Sequence, residues 1–277
     1  MPFYYKLRHW RSDSQVKKEA KDRTIQNLLR LRRHLRTTVP RSDLNNNLLL
    51  ATWNIREFDS GAYGDRMDEA LYYIAEIIAA FDIVAIQEVN REMKGLEDVM
   101  DILGKDWKYV VSDTTEGAQG NDERIAYVYN SRKVKFGGLA GQLVLPPKIE
   151  RVPDPDKPGK KKKKVTPMQQ LWRTPLICGF TAGWAKFQLC NVHIQWGESK
   201  LSRKKEIDHV ARFLKDRTED ETAWARKIIL LGDFNISSVN SPAYKALKEA
   251  EYVSPGAHEN LFTTTGKSQS QYDRIFI

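Results

Sequence analysis

Three observations on the 277-residue sequence predict an α/β fold of two packed β-sheets with helices on the outside. Strand-like and helix-like stretches alternate in both halves of the chain and flank a strand-rich middle, the pattern of sheets covered by helices. Four apolar runs each end in polar side chains: Leu48–Ile55 around Asn54, Ile83–Glu88, Leu189–His193 and Ile228–Asn235. A buried strand wants apolar residues on both faces, and an unpaired carboxylate there costs several kcal/mol. The four endings therefore point to one shared polar site at a sheet edge. Finally, 41% apolar residues is ordinary for a globular chain of this length, which can bury a large core.

Along the chain, Val16, Ile25, Leu28, Leu29, Leu31 and Leu35 lie among Lys and Arg. From Thr24 onward their spacing predicts an amphipathic helix with a basic face. Pro40 and Asn45–Asn47 mark a boundary, so residues 1–47 read as a basic arm and residues 48–277 as the domain that carries the chemistry. Within that domain the pattern is a strand from 48, a helix near 65–80, a strand at 82–89, a helix at 91–103 and a strand at 107–113. Strands at 124–130, 133–136, 168–182 and 185–194 follow, then a helix near 201–217, a strand at 227–233, a helix near 242–250 and a closing stretch at 271–277. Residues 146–167 hold six prolines and the run Lys160–Lys164. That composition cannot form a core and reads as a mobile surface loop.

The net charge of +9 is unevenly placed. Residues 1–47 carry +8 and residues 148–164 carry +5, which leaves the rest mildly acidic at −4. An acidic body suits a cation, and two basic appendages suit a large polyanion such as nucleic acid. Cys178 and Cys190 fall on neighbouring strands whose register puts them on opposite faces, so free buried thiols are expected. No stretch approaches the ~20 apolar residues that span a bilayer, and residues 1–10 have no apolar leader. A soluble cytoplasmic protein is the simplest expectation.

The strand endings suggest metal-assisted attack on a phosphate. Glu88 has no basic neighbour before Arg91, and Mg²⁺ takes one or two carboxylates with neutral oxygens such as that of Asn54. Asp233 and Asn235, one residue apart, point the same way on an extended backbone. The carboxylate can orient or deprotonate water, and the amide can donate to a phosphoryl oxygen. His193 has a partner in Glu123, just before the strand at 124–130; a carboxylate on one ring nitrogen leaves the other to face a phosphate. Arg124 and Arg173 either clamp phosphate oxygens bidentately or form surface ion pairs.

In order and spacing these motifs resemble the endonuclease/exonuclease/phosphatase superfamily, and within it the pancreatic-deoxyribonuclease branch. The resemblance rests on Trp53-Asn54-Ile55-Arg56-Glu57-Phe58, Ile86-Gln87-Glu88-Val89, Glu123-Arg124, Trp172-Arg173-Thr174-Pro175, His193, Gly232-Asp233-Phe234-Asn235 and Tyr272-Asp273-Arg274-Ile275. It implies a four-layer α/β sandwich and a DNA endonuclease dependent on Mg²⁺, with Mn²⁺ as a substitute. It assigns Glu88 and Asn54 to the metal, and His193, Glu123, Asp233, Asn235 and Asp273 to catalysis. Arg56, Arg124, Arg173 and Lys160, Lys161, Lys162, Lys163 and Lys164 would meet phosphates. Family members carry a further Ser-Asp-His stretch on one more strand; the 277 residues do not contain it, so the sheet is expected to lack its last strand and the natural chain to continue. Two other readings are an inositol-phosphate or sphingolipid phosphoesterase, and a nucleic-acid-binding module on a degenerate nuclease fold.

Overall fold

The computed structural model describes residues 2–10, 14–58, 66–114, 122–168, 170–196, 200–258, 261–264 and 270–277. The chain begins with one helical turn, α1 (Tyr5–Arg8), and a long helix, α2 (Gln15–Thr38). Next come β1 (Leu50–Phe58), α3 (Asp68–Ile78), β2 (Ile83–Val89), α4 (Lys94–Leu103), β3 (Trp107–Val111) and β4 (Arg124–Asn130). A short crossing leads to β5 (Val134–Gln142), then to β6 (Lys148–Pro153) and β7 (Lys161–Thr166). The hairpin β8 (Leu176–Ala182) and β9 (Ala185–His193) precedes α5 (Lys200–Glu219), β10 (Ile228–Asp233), α6 (Pro242–Glu249) and β11 (Asp273–Phe276).

The strands make two mixed sheets, ordered β1-β2-β4-β3 and β11-β10-β9-β8-β5. Period-2 alternation sorts their side chains into layers. On β2, Val84 and Ile86 pack outward with Ile74, Ile78 and Val99 of α3 and α4, while Ile83 and Ala85 pack inward with Phe180, Leu189 and Leu231 of the other sheet. On β9, Cys190 and Val192 face α5 and α6, while Phe187 and Leu189 face the first sheet. Helices, sheet, sheet and helices are the four layers predicted. Cys178 lies in the inter-sheet layer and Cys190 in the outer one, both as free buried thiols.

The arm docks on the body through α2. Ser14 Oγ accepts from Lys17 N–H at its start, and Thr24 and Leu28 are its buried residues. Arg32 Nε donates to Glu76 on α3 at 2.7 Å, and Tyr4 OH also donates to Glu76. Burial drives the Tyr4 hydroxyl well above its usual range, and the Glu76 charge adds to this. Among the described residues no helix is long and apolar enough to cross a membrane.

Two sequence expectations are corrected. Residues 146–167 are not a structureless loop: β6 and β7 pair antiparallel from Lys148↔Thr166 to Pro153↔Lys161. A turn closes the ribbon, with Asp154 N–H donating to Lys160 O and Lys160 N–H to Lys157 O. Backbone pairing across a turn needs no core, which is why composition concealed it. The strand expected at 168–182 begins only at Leu176. Pro167 and Pro175 lack N–H donors, and Trp172 N–H is drawn to the Glu206 carboxylate of α5 instead.

Candidate active site

Parity along the strands brings the polar endings together. Odd-numbered residues of β4, β9, β10 and β11 face the space between the sheets, as do Thr52 and Asn54 on β1 and Gln87 on β2. The apolar filling of that space stops where the strands end, and polar side chains take over.

The first polar layer joins the two sheets. Gln87 Nε2 donates to Asn191 Oδ1 at 2.6 Å, and both residues are fully buried. Asn191 Nδ2 in turn donates to Ile86 O and Ala126 O of the opposite sheet. Neither residue was singled out from sequence, although a Gln and an Asn inside apolar runs carry the same signal as Glu88.

Asn54 is the hub of the next layer. Its Nδ2 donates to Glu88 Oε1 at 2.6 Å and to Asp233 Oδ2 at 2.9 Å, and its backbone N–H donates to Asp273 Oδ1 at 3.1 Å. One side chain and its own amide thus touch carboxylates from β2, β10 and β11. Glu88 Oε2 accepts from Glu57 N–H at 2.8 Å, and Asp233 Oδ1 from Asn235 N–H at 2.8 Å. Asn54 Oδ1 is buried and has no hydrogen-bond partner among the described residues. A buried acceptor without a donor is uncommon, and a hard cation is one group that satisfies it. Among the described residues no group of three or more His, Cys, Asp or Glu side chains is placed to hold a metal ion. That is compatible with Mg²⁺, which keeps much of its water.

On the other side of this cluster, His193 Nδ1 lies 2.9 Å from Glu123 Oε2. Arg173 grips the same carboxylate bidentately, Nε to Oε2 at 2.9 Å and Nη2 to Oε1 at 3.1 Å. Burial pushes the Glu123 carboxyl up, but the hydrogen bond and charge of His193 and the Arg173 guanidinium outweigh it and hold it at about 2. His193 Nε2 points back to the hub, 3.8 Å from Glu88 Oε1 and 3.9 Å from Asp233 Oδ2. Those gaps are too long for hydrogen bonds. Asp273 pairs in register with Asp233, and burial together with the Asp233 charge raises its carboxyl to about 7. Crowded carboxylates at one spot favour a cation or a proton between them.

Of the remaining candidates, Arg173 braces Glu123 from a buried position and not as a surface ion pair. Arg124 ties β4 to the end of β3, donating to Ser112 O at 2.9 Å and Asp113 Oδ1 at 3.2 Å. Asn235 Nδ2 donates to Ile194 O at 2.6 Å, holding the segment after His193. Arg56 is exposed on β1, and Lys160–Lys164 lie on the ribbon, not in the hub. Glu206 was not foreseen. Its buried carboxylate accepts from Trp172 N–H at 3.1 Å and Gln195 N–H at 3.2 Å, fixing the segments that carry Arg173 and His193. Burial raises its pKa despite those bonds.

Backbone strain also gathers here. Glu57, Glu88, Asp122 and Asn235 all have φ between 49° and 59°. Such non-glycine residues cost of order 1–3 kcal/mol each and cluster at functional sites. Gly232 adopts φ 139°, and a Cβ there would meet Val192 O at 2.0 Å. It permits the β9–β10 approach that sets Asp233 beside His193. Gly232→Ala is expected to lower stability by about 2–4 kcal/mol in urea denaturation and to lower hydrolysis together with it. An unchanged urea midpoint would mean that the strand pair tolerates the methyl group.

No family model matches the chain. Among curated proteins it is similar to a deoxyribonuclease of Thioalkalivibrio sp. (strain K90mix), 25% identical over 236 residues. These are 83% of this chain and 58% of that one, so the chain spans less than two thirds of the relative's length. Among solved structures it is similar to a mannosyl-6-phosphatase of Bacteroides thetaiotaomicron, with TM-score 0.57, 19% identity and 83% and 85% of the two chains covered. It is also similar to the human Nocturnin catalytic domain, with TM-score 0.56, 14% identity and 85% and 84% covered. An endonuclease/exonuclease/phosphatase family protein, also from Bacteroides thetaiotaomicron, gives TM-score 0.55 at 22% identity over 83% and 80%.

Proposed function

We propose that this chain, which has the fold of the endonuclease/exonuclease/phosphatase proteins, is a Mg²⁺-dependent phosphodiesterase that cuts DNA internally. The observation that carries the reading is the convergence on Asn54 of Glu88, Asp233 and Asp273, with His193 aimed at the same point. Asn54 Oδ1 and the Glu88 carboxylate would hold the metal, with Mn²⁺ as a substitute; bound there, it would polarise a phosphoryl oxygen. Asp233, fixed by Asn54 and by Asn235 N–H, orients the attacking water. His193, held by Glu123, presents Nε2 to the phosphate and donates a hydrogen bond or proton as charge develops there. Arg173 keeps Glu123 ionised and in place, and Asp273 holds the Asn54 backbone. The similarity to a deoxyribonuclease and the basic segments around an acidic body favour DNA over a small phosphate ester.

Plasmid nicking tests the reading. Supercoiled DNA is expected to be relaxed in Mg²⁺ and left intact in EDTA, with Glu88→Ala slower by 10²-fold or more. Phosphoinositide, sphingomyelin and mannose 6-phosphate run as parallel substrates. Equal nicking by Glu88→Ala, or turnover of one of these esters without DNA cleavage, would refute it.

A further inference from the structure

The ribbon β6–β7 stands outside the catalytic cluster, and its charge is sorted by face. Eleven of its twelve strand residues are exposed, and Val152 is half-buried, so it does not lie flat on the body. Directly paired residues, and residues two apart, share a face. One face therefore carries Lys148, Glu150 and Val152 opposite Thr166, Lys164 and Lys162. Carboxylates answer the lysines there: Glu150 lies 2.7 Å from Lys148, and Asp154 in the turn lies 4.0 Å from Lys162. The other face carries Ile149, Arg151 and Pro153 opposite Val165, Lys163 and Lys161. It has three cations and no acid, and among the described residues none of the three cations forms an ion pair. A solubilising appendage needs no such segregation; a surface that meets a polyanion does.

The ribbon is also rooted at the catalytic edge. Gln142, where β5 ends before the ribbon, pairs with Leu176, where β8 begins after it. Leu176 pairs with Asn191, two residues before His193 on β9. The chain returning from the ribbon to β8 passes through Arg173, which holds Glu123. Gln170 fastens the base, accepting from Leu145 N–H and donating to Leu145 O. Six residues per strand give a reach of about 20 Å, and Lys161 and Lys163 are spaced by about 6.8 Å, near two base-pair rises of a duplex.

From this placement we infer that the Arg151–Lys161–Lys163 face lies on the phosphate backbone of duplex DNA held across the site, adding a stripe about 20 Å long to the footprint. The inference rests on the proposed reading of the site as a DNA phosphodiesterase. It assigns the charge of the lysine run unequally: Lys161 and Lys163 touch the duplex, whereas Lys162 and Lys164 do not.

Two charge-matched variants test it, R151Q/K161Q/K163Q and K148Q/K162Q/K164Q. Binding of a 20-bp duplex, a 6-bp duplex and a single-stranded 20-mer is measured in EDTA across a salt series. Hydrolysis of bis(p-nitrophenyl) phosphate in Mg²⁺ is followed separately, because that ester is too small to reach the ribbon. The first variant is expected to flatten the log Kd against log salt slope for the 20-bp duplex by about 2.7 and to lose the preference over the 6-bp duplex. The second is expected to change the slope by less than about 1, and both to hydrolyse the small ester like the parent protein. Equal slope changes in the two variants, no change in the first, or a loss confined to the single strand would overturn the inference. Absence of small-ester hydrolysis by the parent protein would instead defeat the catalytic reading, and the binding arm would still report on the ribbon.

Discussion

Replacing His193 by Gln is expected to lower kcat for phosphodiester hydrolysis by about 10²–10⁴-fold, with KM changed only a few-fold. The imidazole is held at Nδ1 by Glu123 and reaches the hub only through Nε2. A group placed this way acts on charge that appears in the transition state, so its loss falls on kcat. Steady-state hydrolysis of a small phosphodiester, with Mg²⁺ saturating, measures it. A fall of less than tenfold would make His193 a structural residue of the β9 end. Glu123→Gln is expected to fall between the parent and His193→Gln in rate, because the amide oxygen still accepts from Nδ1–H but no longer balances an imidazolium.

The same pair gives a pH signature in stability. Glu123 has a folded pKa of about 2, below its ordinary value of 4.5. A depressed carboxyl contributes stability that is fully present above the unfolded value and is lost as pH falls through the folded one. The window is therefore pH 4.5 to 2, and the contribution is on the order of 3 kcal/mol at most. Urea denaturation of the parent protein is expected to show this loss on acidification, and Glu123→Gln to show a flatter profile over the same range. Parallel profiles would assign the acid sensitivity to other carboxylates.

Much of this site is legible in the sequence, for a physical reason. Asn54, Glu88, His193 and Asp233 each follow apolar runs, where an unassisted polar group is costly, so the pattern marks function whatever the partner. Glu123 is legible as the partner of His193 from its place just before β4, and it meets Nδ1. Asp273 is legible only through the family resemblance, as the support of a further His, and its bond from Asn54 N–H is not. Arg173 stayed ambiguous because its partner is fifty residues away in sequence. Gln87, Asn191 and Glu206 escaped notice because their bonds cross between layers, and no local period encodes such a contact. The ribbon escaped for a different reason. Five consecutive lysines hide the period of two that a strand would show, and only the pairing register separates the two faces.

At the far end of the sandwich from the Asn54 hub, Lys133→Met is expected to lower stability by about 3–5 kcal/mol while leaving the proposed hydrolysis by the folded protein within a few-fold of the parent. Lys133 sits in the short crossing that carries the chain from β4 in one sheet to β5 in the other. Its Nζ donates to Asp82 Oδ2 at 2.6 Å, and both side chains are almost fully buried. Asp82 is already tied to the start of β1, accepting from Leu49 N–H at 2.7 Å and Ser42 Oγ at 2.6 Å, while its carbonyl accepts from Asn130 N–H. Removing the ammonium leaves a buried carboxylate without its counter-charge, which costs more than the attraction that the pair supplied. Lys133→Met/Asp82→Asn is therefore expected to recover more than half of the loss, since the amide oxygen still serves Leu49 N–H without a buried charge. A double-mutant cycle in urea measures both effects. A double variant no more stable than Lys133→Met would show that the ion pair itself closes this end of the sandwich. The Gln87–Asn191 bond joins the sheets at the catalytic end by a neutral contact. With that end intact, a sandwich weakened at Lys133 is expected to unfold earlier yet turn over normally below its transition.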